Sequence, residues 1–180
     1  MAKKKQKSIS LKSIEKHYKE ITKYSTHPLK CQNGEPIKYY SFFTEDKIDD
    51  LLKEANMDLV YDVENKLFLI SDDDEKFLKY ILFLIIKHMT QLRDEISDKL
   101  EDKIVLLHKL YNKGVFKEMI EEVFDPSEVS KVIERLVNIS LMNERIREIE
   151  QEARENIMNS VESPIIKQKI EQGKLTEKNA

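Results

Sequence analysis

The stretch Ser71-Asp72-Asp73-Asp74-Glu75, followed by Phe77, Leu78 and the unbroken apolar run Tyr80–Ile86, constrains this chain more than any other feature. A hydroxyl cap and four anions mark the positive end of a helix dipole. Beyond them, apolar side chains occupy nearly every face of a helix continuing to about Met89, and such a helix has to be surrounded by protein. Each large side chain buried there contributes about 1.5–3 kcal/mol before entropy. The segment is therefore predicted to be the central core helix of one domain, the number that 180 residues suggests. Its apolar run is seven residues between Lys79 and Lys87. A bilayer span takes about 20, so a soluble protein with no membrane partner is expected.

Other helices are marked by their own start and stop signals. Ile9, Leu11, Ile14, Tyr18 and Ile21 fit a short helix between Ser8 and about Tyr24. Asn33-Gly34 is a hairpin signal, because both residues accept the positive φ of a type I′ turn; Pro28 and Pro36 limit the hairpin to a small edge element. Thr44 starts a helix to about Ala55 with Ile48, Leu51, Leu52 and Ala55 on its apolar face. Residues 59–70 read as a second small hairpin turning at Glu64-Asn65, with a helix as the alternative. A helix from about Asp98 to Lys113 ends at Gly114, and a short one carries Val115 to Phe124. Asp125-Pro126-Ser127-Glu128 places a cap, a proline at the first helical position and a glutamate at the third. The last helix runs from there toward Ser160. The predicted fold is mainly α: a helical bundle with a small N-terminal β-hairpin element and a long C-terminal helix.

Chemistry is hard to place on this pattern. Gly34, Gly114 and Gly173 are the only glycines, too far apart for a phosphate-binding loop or a dinucleotide fingerprint. His17, His27, His88 and His108 have no metal-ligand spacing, and the lone Cys31 has no cysteine neighbour, so no metal and no cofactor is expected. A single cysteine also fits a reducing, cytoplasmic setting. His88 and His108 read as structural, and the Asp72–Asp74 run as helix-start electrostatics rather than a calcium loop. No catalytic residue is assigned and an enzyme is not expected.

Charge is unevenly spread. Residues 1–30 hold nine Lys against Glu15 and Glu20, while residues 164–180 hold four Lys against two Glu. With a net charge of -3, the middle is strongly acidic. Four regions follow: a basic segment 1–24, a compact helical domain 25–142 with its β element, a projecting part of the last helix at 143–163, and a flexible tail 164–180. In the last helix Val129, Val132, Leu136, Ile139, Asn143, Ile146, Ala153 and Ile157 recur at spacings of three and four, with Glu150 interrupting the seam as a charged gap. Some 35 residues extend about 50 Å, more than a small domain needs. Asn143, Ile146, Ile149, Ala153 and Ile157 are thus expected to meet a partner or a second copy, the polar Asn143 fixing register.

The run Lys79-Tyr-Ile-Leu-Phe-Leu-Ile-Ile-Lys-His-Met-Thr-Gln-Leu92, the amphipathic stretch Lys99 to Leu110, Gly114-Val-Phe-Lys-Glu-Met-Ile120 and Asp125-Pro-Ser-Glu-Val-Ser-Lys-Val-Ile133 together resemble the small tail assembly chaperones of siphophages infecting Gram-positive hosts. The resemblance spans roughly residues 30–140. It implies a short β element before the helices and a non-enzymatic protein that shields a long helical tape-measure client and self-associates along it. An alternative of another class is a nucleic-acid-associated regulatory or accessory protein contacting phosphate through Lys3, Lys4, Lys5, Lys7 and Lys12.

Overall fold

The computed structural model describes residues 9–160, with side chains placed for 9–142 and at Arg145 and Gln151. Its helices are α1 (Leu11–Ile21), α2 (Glu45–Glu64), α3 (Asp74–Met89), α4 (Leu100–Asn112), α5 (Val115–Glu118) and α6 (Pro126–Ser160). Strands β1 (Tyr24–Leu29) and β2 (Glu35–Tyr40) lie between α1 and α2. This is the expected mainly helical architecture with one small hairpin and a long last helix. The chain divides into two units, residues 1–133 and 134–180, so the division falls inside α6.

The first unit is organised around α3. Tyr80, Ile81, Phe83, Leu84, Ile85, Ile86 and Met89 are all fully buried, as an all-round apolar helix requires. Ile48, Leu51 and Ala55 of α2, Leu100 of α4, Met119, and Val132 of α6 join the core, as do Phe43 and Ile70. Ser71 is not the cap of α3: Asp73 is, its carboxylate accepting the Glu75 N–H at 2.9 Å. At the other end Thr90 donates its hydroxyl to the Ile86 carbonyl and accepts the Leu92 N–H, turning the chain into a 3₁₀ turn at Gln91–Asp94. Thr90-Gln91-Leu92 is thus a helix stop and a new start in three residues.

The hairpin is longer at its tip than the Asn33-Gly34 signal suggests. Pairing ends at Leu29–Glu35, and a 3₁₀ turn at Lys30–Gln32 precedes Asn33 (φ 57°) and Gly34 (φ 82°). Both do take positive φ, but they close a five-residue loop rather than a two-residue turn. Pro28 pairs with Pro36, so both missing N–H groups fall on one rung. Glu118 of α5 holds the loop: its carboxylate accepts the Lys30 and Cys31 N–H groups at 2.7 and 3.0 Å. α5 passes directly into a π-helical turn, Met119–Val123.

The expected hairpin at 59–70 does not form. α2 continues through Leu59 to Glu64, and the chain then turns through Lys66 and Phe68, both at positive φ. The reason lies in the buried face of α2, which runs Ile48, Leu51, Leu52, Ala55, Asp58, Asp62. That is helical spacing whose last two places are carboxylates, and they hide the period. The β-favouring Val60, Tyr61 and Val63 point to solvent, so their propensity decides nothing. Asp62 accepts the N–H groups of Leu69, Ile70 and Ser71 at 2.9–3.0 Å and shapes the turn into α3.

The start of α6 is made as expected by Asp125, whose carboxylate takes the Ser127 N–H at 2.8 Å. Glu128 does not fold back on the cap. It accepts the Phe43 N–H at 2.9 Å and pairs with Lys131, so it ties the entry of α2 to α6 instead. Edge-on packing of Phe43 against Phe124 closes the same junction.

Candidate functional site

Two features stand out: a buried ionic cluster between α2, α3 and α4, and apolar helix surface that the fold leaves uncovered. The cluster grows from helical spacing on three elements. Glu54 and Asp58 are one turn apart on α2, and Tyr80 is seven residues before Lys87 and eight before His88 on α3. Lys103 is in the first turn of α4. Lys103 Nζ donates to Glu54 at 2.5 Å and to Asp58 at 2.6 Å; Lys87 Nζ donates to Glu54 at 2.8 Å and Asp98 at 3.1 Å. His88 Nε2 pairs with the second Glu54 oxygen at 2.7 Å, and the Tyr80 hydroxyl donates to Asp58. Tyr80, Lys87, His88 and Lys103 are all buried.

Burial alone would raise the Glu54 carboxyl, but hydrogen bonds from His88, Lys103 and Lys87 outweigh it and hold it well below the usual carboxylate range. Tyr80 is pushed far up, by burial first and then by its bond to Asp58. The carboxylates and ammonium groups meet one another, so the charges are paired, while His88 Nδ1 is buried without a hydrogen-bond partner. A shallow cleft of about 350 Å³ runs beside it, lined by Lys53, Glu54, His88, Arg93 and Asp98 among others. Arg93 is held by Asp50 at 3.0 Å. Such an arrangement locks three helices together.

The uncovered apolar surface includes stretches of α6 and α1 besides the exposed Met57, Val60 and Val63 of α2. In the second unit Val137, Ile139, Leu141 and Met142 are 38–65% exposed. They fall on several sides of α6. On α1, Leu11, Ile14 and Tyr18 share one face and no residue of the helix is buried.

Of the residues expected to meet a partner, Asn143, Ile146, Ile149, Ala153 and Ile157 are in α6, but their side chains lie outside the described residues. So do Lys3, Lys4, Lys5 and Lys7 as a whole, and the expected tail at 164–180. Lys12 is exposed on the polar face of α1. His88 has the structural place expected of it, whereas His108 is exposed on α4, where Leu107 and Leu110 are the half-buried neighbours. The ionic cluster was not among the features expected from the sequence. Its available signal was Glu54 and Asp58 prolonging the Leu51–Ala55 face, with Lys87 set in an otherwise apolar helix. Among the described residues, no group of three or more His, Cys, Asp or Glu is placed to hold a metal ion. Among them also, no helix is long and apolar enough to cross a membrane.

These features define a helical protein with a small β-hairpin, an internally neutralised ionic core and exposed apolar helix faces. The chain belongs to the YomO family, a Bacillus phage-type (SPbeta-like) family whose model matches residues 11–176. No curated protein and no solved structure matches it.

Proposed function

We propose that this phage-family protein is a non-enzymatic assembly factor, a tail assembly chaperone that self-associates and shields a long helical tape-measure client. The observation that supports this reading is the apolar surface of α6 between Leu136 and Met142. Five of those seven residues are apolar, and Val137, Leu141 and Met142 are at least half exposed. Apolar side chains on several sides of one helix gain by being enclosed by other helices. Methionine adapts its shape to varied partners, which suits a shielding surface. The charged residues that alternate through the rest of α6 keep such a surface soluble before the client arrives.

Co-expression of the full chain with the long helical protein of the same phage tests this. The expected result is a soluble complex that co-purifies, lost in the double variant Leu141→Glu/Met142→Glu while the melting temperature of the free chain is unchanged. A client that is equally soluble with and without the chain overturns the reading.

A further inference from the structure

We propose that α4 is a releasable lid, which comes away from α2 and α3 as a unit while the rest of the helical body stays folded. The inference concerns the free chain and does not depend on the chaperone reading. α4 is held unlike its neighbours. Of its thirteen residues only Leu100 and Lys103 are buried, whereas α3 buries nine of sixteen. Ile104, Leu106, Leu107 and Leu110 are half-buried, and Val105 and Tyr111 are more than half exposed. The tie from α4 to α2 is therefore chiefly ionic, through Lys103 to Glu54 and Asp58. Beside it the Tyr61 hydroxyl reaches Glu101 at 3.3 Å, on the exposed surface.

This attachment is lopsided. Leu100 and Lys103 lie in the first turn of α4. At the other end Tyr111 packs on Phe116 with ring centroids 5.8 Å apart, and Gly114 turns the chain into α5 at φ 77°. One end carries the latch and the other the tether. Half-buried leucines offset less of the entropy of ordering a helix than fully buried ones do. A helix of thirteen residues without its packing is marginal in water, so a released α4 melts and its amides lose protection. Tyr80, Phe83, Leu84 and Lys87 share one face of α3 by their spacing. Tyr80 and Lys87 join the latch through Asp58 and Glu54, so release uncovers the apolar Phe83 and Leu84 between them.

The test is hydrogen exchange of the full chain in urea below its unfolding transition. The amides of Ile104 to Leu110 are expected to be at least about 100-fold less protected than those of Tyr80 to Ile86, and nearly insensitive to urea. Ile48→Val, in the first turn of α2 and away from the latch, is expected to lower α3 protection about three- to tenfold and leave α4 unchanged. Lys103→Ala is expected to lower α4 protection about 100-fold. Equal protection of the two helices with one urea dependence overturns the proposal, because α4 then opens only when the whole chain unfolds. An equal effect of Ile48→Val on both helices overturns it for the same reason. Unchanged α4 protection in Lys103→Ala also overturns it, since the half-buried leucines would then be the hold. If Lys103→Ala does not fold, the first two measurements decide.

Discussion

Replacing Lys103 by alanine tests the physical account of the core most severely. Its ammonium is within 2.6 Å of both Glu54 and Asp58, and its side chain is 1% exposed. Without it Glu54 keeps Lys87 and His88, whereas Asp58 keeps only the Tyr80 hydroxyl. Breaking a buried ion pair by removing one partner costs about 3–5 kcal/mol, because a charge is left without compensation. The two carboxylates are 19 and 12% exposed, so water reaches them in part and the lower end, about 3 kcal/mol, is expected. Against a total of about 5–15 kcal/mol that is a large loss. For a chain of this length it lowers the melting temperature by about 6–12 °C. Circular dichroism in urea is the suitable assay, since the chain has no tryptophan. The double variant Lys103→Met/Asp58→Asn should cost less than the two single changes summed, because it leaves no unpaired charge. A loss for Lys103→Ala under about 1 kcal/mol, the range of exposed pairs, would refute the reasoning.

Three further outcomes follow from the same structure. Glu54 is held below its ordinary value of 4.5, so its stabilisation is complete above that pH and is lost as the pH falls below it. Melts of wild type and Glu54→Gln should therefore converge on acidification. Glu118 is lowered to about 2 by the Cys31 thiol and by the Cys31 and Lys30 N–H groups. Protonating it as the pH falls toward about 2, or making Glu118→Ala, should lower the hydrogen-exchange protection factors of those two amides, measured against the intrinsic rate at the same pH, while α3 stays protected. Asp62→Ala leaves the N–H groups of Leu69, Ile70 and Ser71 without their acceptor, and should cost about 2–3 kcal/mol in urea titration.

The fold was readable where one strong rule acted alone. The acidic start and apolar length of α3, Gly114 after α4 at positive φ, and Asp125-Pro126 at the head of α6 each name an element without tertiary help. Errors arose where buried charge replaced apolar pattern. Asp58 and Asp62 occupy inward positions of α2, so its second half reads as polar, and the exposed Val60, Tyr61 and Val63 then imitate a strand. Glu128 reads as a capping-box residue because sequence spacing cannot show that Phe43 is nearby. The candidate surfaces were partly legible: the helical spacing of Ile9, Leu11, Ile14 and Tyr18 is plain in the sequence, but that nothing covers it is a property of the fold. Lys87 and Lys103 were invisible as core residues, since lysine is ordinarily a solvent marker and only a carboxylate on another helix reverses that.

Oxidative footprinting of the methionines most directly tests whether exposed apolar helix surface is how this protein works. Met57 and Met142 are open to solvent, while Met89 and Met119 are fully buried. In the isolated full chain, Met57 and Met142 should be oxidised readily and the two core methionines spared. In complex with the long helical client, Met142 should become protected while Met57 stays reactive. Met142 oxidised at the same rate with and without the client would contradict the account.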